Sequence, residues 1–395
     1  MRTKLSQKRV ERQTERVGEE RVAEREAEVV AWENVPLMQR DKPPEGVQAP
    51  DVACVLGDGG RLQLCDENPE AQSHWHEYKG GVCQGLKSEV STEDPCPEIP
   101  ETYLQPARIE KLAREITTLA AREESGPAAV VESDVTQDVA EPLVSTEEVA
   151  THGYDPPRVI DRDVVATRQN SQAFGRHLAA RAWHLGLFAS PRKAFVSDGG
   201  SWLWTVWARW FKAFGFVPIL DFIHALTRVY AAALAGRPAA EGWPIYERWI
   251  TWVWQGEVAK VIVELAARQQ ELGLPTDADG DTSPRQLVSE TLTYLQNQQS
   301  RMHDPEYRKQ GLPLTSAHME STIKLINRRI KGSEKYWCAR GSEAMLQLTA
   351  DYLSTSQPMA AFWPRRAARQ TGYRTYAKRT PTKEAKPIPP TKQIA

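Results

Sequence analysis

Apolar positions change their period several times along this chain, and each change marks an element. Residues 2–32 alternate acids and bases with Val and Ala and contain no proline, which predicts an exposed helix laced with salt bridges. Pro43, Pro44 and Pro50 close it. Residues 51–64 (DVACVLGDGGRLQL) form a β-rich apolar run, a Gly-Gly break and a second short run. That order predicts a hairpin with Asp58 at the end of its first strand. A third strand is expected within 78–86, and 105–123 carries a helical period.

The stretch 125–157 is acidic and turn-rich and reads as a linker. Helical patterning resumes over 169–186. Short strands follow at 194–197, ending on Asp198, and at 217–220, ending on Asp221. From His224 to about Gly311 the pattern is almost wholly helical, and a last helix is expected from Ser316 to Lys331, with Gly332 placed to end it. Strands first and a helical block later give an α+β chain. The expected segments are a charged N-terminal helix (1–50), a first core part (51–224), an all-helical insertion (225–312), the last core helices (313–356) and a basic, disordered tail (357–395).

Composition narrows the class only a little. The 395 residues are 41% hydrophobic and 26% charged, with a formal net charge of −2, as in ordinary globular proteins. The distribution says more: after Trp363 the chain carries nine Lys or Arg against the single acid Glu384, whereas 125–148 is acidic. Such asymmetry fits a nucleic-acid contact or a solvated tail. The five cysteines include no CxxC pair and read as reduced thiols of a soluble, cytoplasmic protein. A cluster of Cys65, His74, His76 and Cys83 matches no common zinc spacing. The apolar region 195–235 is interrupted by Asp198, Arg209, Lys212, Asp221 and Arg228, which argues against a membrane span.

Three carboxylates interrupt apolar patterns. Asp58 follows ACVLG and Asp198 follows AFVS, each with two glycines after it, and Glu320 lies one turn into the last helix. Small neighbours let a metal or a phosphate approach a strand end closely. Three hard oxygen donors from separate elements can hold Mg²⁺ with waters and substrate phosphate completing the shell. Two such ions would activate one oxygen and stabilise the departing one in an in-line phosphoryl transfer. The plainer reading of either Asp-Gly pair is a turn.

The segments VACVLGDGGRLQL, HWHEYKGG, AFVSDGGSWLWTVWARWF, VPILDFIHAL and GLPLTSAHMESTIKLINRRIKGSEKYW, in that order, resemble bacterial insertion-sequence transposases of the Mutator-like DDE superfamily. The resemblance spans about residues 9–373. It implies an RNase H-like mixed sheet with a large all-helical insertion between the second aspartate and the glutamate. It assigns Asp58, Asp198 and Glu320 as catalytic ligands of two Mg²⁺ ions, with Mn²⁺ able to substitute. Asp221 and His224 match the family's (C/D)-x-x-H signature, and His224 joins the catalytic set. The implied partners are transposon-end and target DNA, bound by a homo-oligomer in a bacterial, nucleoid-associated setting, with no membrane.

Around that core the residues keep two readings each. His224 is either a buried histidine or a contact to the scissile phosphate; Asp221 is either a helix cap or a site residue. Lys324, Arg328, Arg329 and Lys331 follow Glu320 and form either a DNA-backbone stripe or a solvated face. Most of the thirteen tryptophans are expected in the core, with one or two free to stack on an unpaired base. Family members begin with a region that recognises terminal repeats. Here about fifty residues precede the first core strand, with no zinc module or helix-turn-helix. The alternative reading is therefore a truncated, non-catalytic remnant that only binds DNA.

Overall fold

The structure is a computed structural model that describes residues 6–65, 74–114, 154–332 and 335–369. The acidic stretch 125–153, the second half of the helix expected over 105–123 and the tail beyond 369 lie outside the described residues. The chain divides into two units, Met1–Ser356 and Gln357–Ala395.

The first unit is built on a five-stranded mixed sheet in the order β3-β2-β1-β4-β5. The strands are β1 (Val52–Gln63), β2 (Trp75–Lys87), β3 (Arg158–Thr167), β4 (Arg192–Ser197) and β5 (Val217–Leu220). β2 runs antiparallel to both β1 and β3, while β1, β4 and β5 are mutually parallel. Val52–Leu56 are buried without interruption, as a central strand covered on both faces requires.

Helix α1 (Gln7–Glu33) leads into the sheet, and α2 has its described part at 106–114. Then come α3 (Ser171–His184) and α4 (Ser201–Trp210). The block expected to be helical holds α5 (Phe222–Leu234), α6 (Ala239–Trp254), α7 (Val258–Leu272), α8 (Pro284–Gln298) and the short α9 (Asp304–Lys309). α10 (Ala317–Ile330) and α11 (Ala339–Leu353) complete the unit. α10 packs on β1 and β2, α3 packs on β2 and β3, and α11 packs on β3.

Four expectations change. The Gly59-Gly60 pair is not a turn: β1 runs through it, paired residue for residue with β2 from Val52 opposite Leu86 to Gln63 opposite Trp75. Asp58 therefore sits within a strand, not at its end. Residues 158–167 form an edge strand where none was expected. Its charges concealed it, because Asp163 pairs with Arg181 and Ser356 while Asp161 accepts from the Gly85 N–H.

Helix α1 is not a solvated rod. Gly18, Arg21, Arg25 and Trp32 are buried along one stripe facing α11 and α3. Arg21 reaches Asp351 through Nε at 2.8 Å and Nη2 at 3.1 Å, and Arg25 reaches Glu343 at 2.9 Å and Gln347 at 3.1 Å. In the second unit, α12 (Pro358–Arg369) occupies the start of the segment expected to be disordered. No described helix is long and apolar enough to cross a membrane.

Candidate functional site

The parallel pairing of β1 with β4 ends at Leu56 opposite Val196. Asp58 and Asp198 each lie two residues further on, so the two carboxylates stand at equivalent positions where adjacent strands part. Adjacent strands run about 4.8 Å apart, which sets the scale of the gap between their backbones. Both side chains are half-buried.

Asp58 lies directly opposite Gly80, and residues so paired share a face of the sheet. A Cβ at Gly80 would come within 2.8 Å of Ile323 and 3.1 Å of Met319, so that face is the one α10 covers. Glycine at this position is what lets α10 approach. Tyr78 donates to Asn327 Oδ1 at 2.8 Å and pins the same helix one turn further on. Glu320 follows Met319 on α10 and is only 8% exposed. The third carboxylate thus sits on the helix laid over Asp58.

Asp198 is held in a tight loop. Its Oδ1 accepts from the Gly200 N–H at 2.9 Å and from the Ser197 hydroxyl at 3.1 Å, the side-chain-to-backbone turn the plain reading describes. The insertion then clamps the loop from outside. Tyr294 on α8 donates to the Asp198 carbonyl at 2.7 Å, and Gln298 Nε2 donates to the Gly199 carbonyl at 3.1 Å. Burial, reinforced by Asp198 and Asp221, raises the Tyr294 phenol well above its ordinary value and keeps it a donor. Gly199 takes φ +105°, and a Cβ there would meet the Tyr294 ring at 2.9 Å.

Asp221 is a structural clasp. It is fully buried, and its Oδ1 caps α5 by accepting from the Ile223 and His224 N–H groups at 2.6 and 3.3 Å. Its Oδ2 accepts from the Ser316 N–H at 2.7 Å and from the Ser316 hydroxyl. The Asp221 N–H donates to the Ser197 carbonyl at 2.8 Å. One residue therefore ties the Asp198 loop, the start of α5 and the cap of the Glu320 helix together. His224 stands beside this clasp, with Nδ1 3.9 Å from Asp221 Oδ2.

The basic residues after Glu320 do not form one stripe. At 100° per residue, Lys324, Arg328 and Lys331 stay near the Glu320 side of α10, whereas Arg329 falls half a turn away. Arg329 packs over Tyr352 of α11, its guanidinium carbon 4.7 Å from the ring centre, and Lys331 lies over Trp75 at 5.7 Å. The tryptophans expected in the core divide: Trp32, Trp204, Trp249 and Trp254 are buried, while Trp202, Trp207, Trp210, Trp243 and Trp252 are partly buried against it. Cys83 donates to the Leu178 carbonyl on the α3 side of the sheet. His76, an odd number of residues away on the same strand, faces the other side, so the two cannot share a metal.

Among the described residues no three His, Cys, Asp or Glu side chains gather closely enough to enclose a metal ion. Asp58, Asp198 and Glu320 form an open arrangement, two carboxylates at parting strands and a third above one of them. Mg²⁺ takes oxygen donors and is held by one or two carboxylates together with waters and substrate phosphates, and carboxylates are the donor type these three positions offer. Tyr294, Gln298 and Ser316 were not anticipated from the sequence. Ser316 carries a signal, since a serine just before a helical run marks an N-terminus. Tyr294 and Gln298 carry only their four-residue spacing. Comparison with protein-family models, with curated proteins and with solved structures finds no match.

Proposed function

We propose that the chain is a DNA transposase of the DDE type, with Asp58, Asp198 and Glu320 as its catalytic carboxylates. The observation that carries this reading is the equivalent placement of Asp58 and Asp198, each two residues past the last β1–β4 pair, with the helix that bears Glu320 laid over the Asp58 face. The sheet order, with β2 antiparallel between β1 and β3, supports an RNase H-like core. The helical block from α5 to α9, between β5 and α10, supports the same reading, and its α8 holds the Asp198 loop.

In this reading the carboxylates hold two Mg²⁺ ions, or Mn²⁺, which when bound supply Lewis-acid stabilisation of the attacking and departing oxygens of a phosphodiester. The protein's own groups set the geometry. Asp221 fixes the spacing between the Asp198 loop and α10, and Tyr294 keeps that loop closed. His224 faces the scissile phosphate from the start of α5. Lys324, Arg328 and Lys331 neutralise DNA backbone phosphates on the Glu320 side of α10, and Arg329 serves the α10–α11 contact instead. Because two element ends must be joined, the working form is a dimer or larger on DNA.

The test is cleavage of labelled duplex carrying the DNA that flanks the gene, with Mg²⁺ or Mn²⁺, beside Asp198→Asn. Metal-dependent nicking at the element end, lost by at least ~10³-fold in the variant, is expected, since each factor of ten is about 1.4 kcal/mol of transition-state stabilisation. Cutting without regard to sequence would indicate a nuclease. DNA binding without cleavage by either protein would leave the non-catalytic, DNA-binding alternative.

A further inference from the structure

A second charged recess lies in the helical insertion, between the end of α5, α6 and α7. It is an open cleft of about 250 Å³. Three arginines line it: Arg237 from the turn after α5, Arg248 from α6 and Arg268 from α7. Two acids, Glu264 and Glu271, share it and leave a local excess of one positive charge.

The acids are already engaged. Glu264 accepts from Arg248 and from the Trp249 indole, both at 2.6 Å, and Glu271 accepts from Arg268 at 2.9 Å. Arg237 has no carboxylate within ion-pair distance among the described residues; its Nη1 donates to the carbonyl of Ala233 at 3.1 Å. Arg268 Nε is buried with no hydrogen-bond partner among the described residues. A half-buried guanidinium with no direct ion pair, beside a second one with an unused N–H, gains from an anion that completes both. Burial and the neighbouring Arg268 depress the Arg237 pKa, and the charges of Glu271, Glu241 and Glu264 offset only part of this.

We propose that this cleft is a phosphate-binding site in which Arg237 and Arg268 grip one phosphoryl group, with Trp249 and Ile245 forming its floor. Guanidinium pairs match the oxygens of a phosphate through parallel N–H donors, and the volume accommodates a phosphate with part of an attached sugar. The source we favour is the backbone of a nucleic acid. That identity rests on the strand-cleavage reading; the oxyanion chemistry of the cleft does not.

The experiment uses the full chain carrying Asp198→Asn, so that no DNA is cut, and titrates it calorimetrically with a 20-base-pair duplex and separately with inorganic phosphate. Arg237→Gln/Arg268→Gln is expected to weaken duplex binding by about tenfold and to flatten the dependence of log K on log salt by about one. Arg237→Lys/Arg268→Lys keeps the charge and is expected to retain most of the salt slope. Should the double Gln variant fail to fold, Arg237→Gln alone carries the test, since among the described residues that side chain donates only to a carbonyl one turn back.

Unchanged duplex binding with loss of inorganic phosphate would assign the cleft to a free phosphate or nucleotide. Equal binding of both probes by wild-type cleft and Gln variants would overturn the proposal, as would failure of the unaltered cleft to bind either probe. Neither result bears on whether Asp198 supports cleavage, which is read separately.

Discussion

Single residues decide how rigidly the candidate site is held, and Gly199 is the sharpest case. Its φ of +105° and the Tyr294 ring at 2.9 Å from a would-be Cβ exclude every other side chain without rearrangement. Gly199→Ala should cost about 1–3 kcal/mol of stability through strain, measured by denaturant unfolding. If the proposed function holds, it should also abolish metal-dependent cleavage, because the displaced loop carries Asp198. Unchanged stability would mean that the loop tolerates a different backbone and that Tyr294 does not clamp it. The aspartates were legible in the sequence because each interrupts an apolar run beside glycines. The residues that position them were not, since Tyr294 and Gln298 act from a helix ninety-odd residues away and nothing local marks that partnership.

At the scale of elements, the sequence was most informative where period and burial agree. β4, β5 and α10 fall where the patterning puts them, because each buries ordinary apolar residues, consecutive ones in the two strands and one face of the helix. β3 was not expected because charges fill its first half and Asp163 is buried beside Val164 and Val165, and α1 was expected as a helix but not as a buried one because Arg21 and Arg25 stand among its buried positions. In α1, Gly18, Arg21, Arg25 and Trp32 recur at intervals of three, four and seven, a helical stripe that hydrophobicity alone does not register. Gly18 lies where a Cβ would meet Ala344 at 2.6 Å, so α1 and α11 touch almost backbone to backbone. Gly18→Ala is therefore expected to destabilise the protein by about 1–3 kcal/mol through overpacking, even though alanine is the better helix former. A thermal melt that rises in this variant would show that α1 docks less closely.

Over the whole molecule, buried ionic contacts between α1, α3, α11 and β3 make stability sensitive to acid. The hydrogen bond from His177 holds the Glu26 carboxyl down at about 2, below its ordinary 4.5. A depressed carboxylate contributes stability that is complete above the unfolded value and is lost as pH falls from about 4.5 towards 2. Burial pushes His177 and His318 below 6.5. An unfolded histidine then takes up a proton first, so stability also declines as pH falls below about 6.5. Both signs agree, and the melting temperature is expected to drop in two stages, one between pH 7 and 5 and one below 4.5. His177→Gln should shrink the first stage, because glutamine can still donate to Glu26 but does not titrate. A flat melting temperature from pH 7 to 5 would contradict this assignment.

The Arg21–Asp351 pair joins residues 330 positions apart, and this has a consequence for how the protein is made. As the chain leaves the ribosome, Arg21 emerges long before its counter-charge exists. At about 5–20 residues per second, α1 must wait for some tens of seconds with arginines on the face it will bury. During that interval the nascent chain has no completed first unit and is a natural client for chaperones. A message that stops before residue 339 yields a polypeptide whose opening helix has lost its α11 seat, so abridged products should be cleared by proteolysis rather than persist as competitors of the full-length protein.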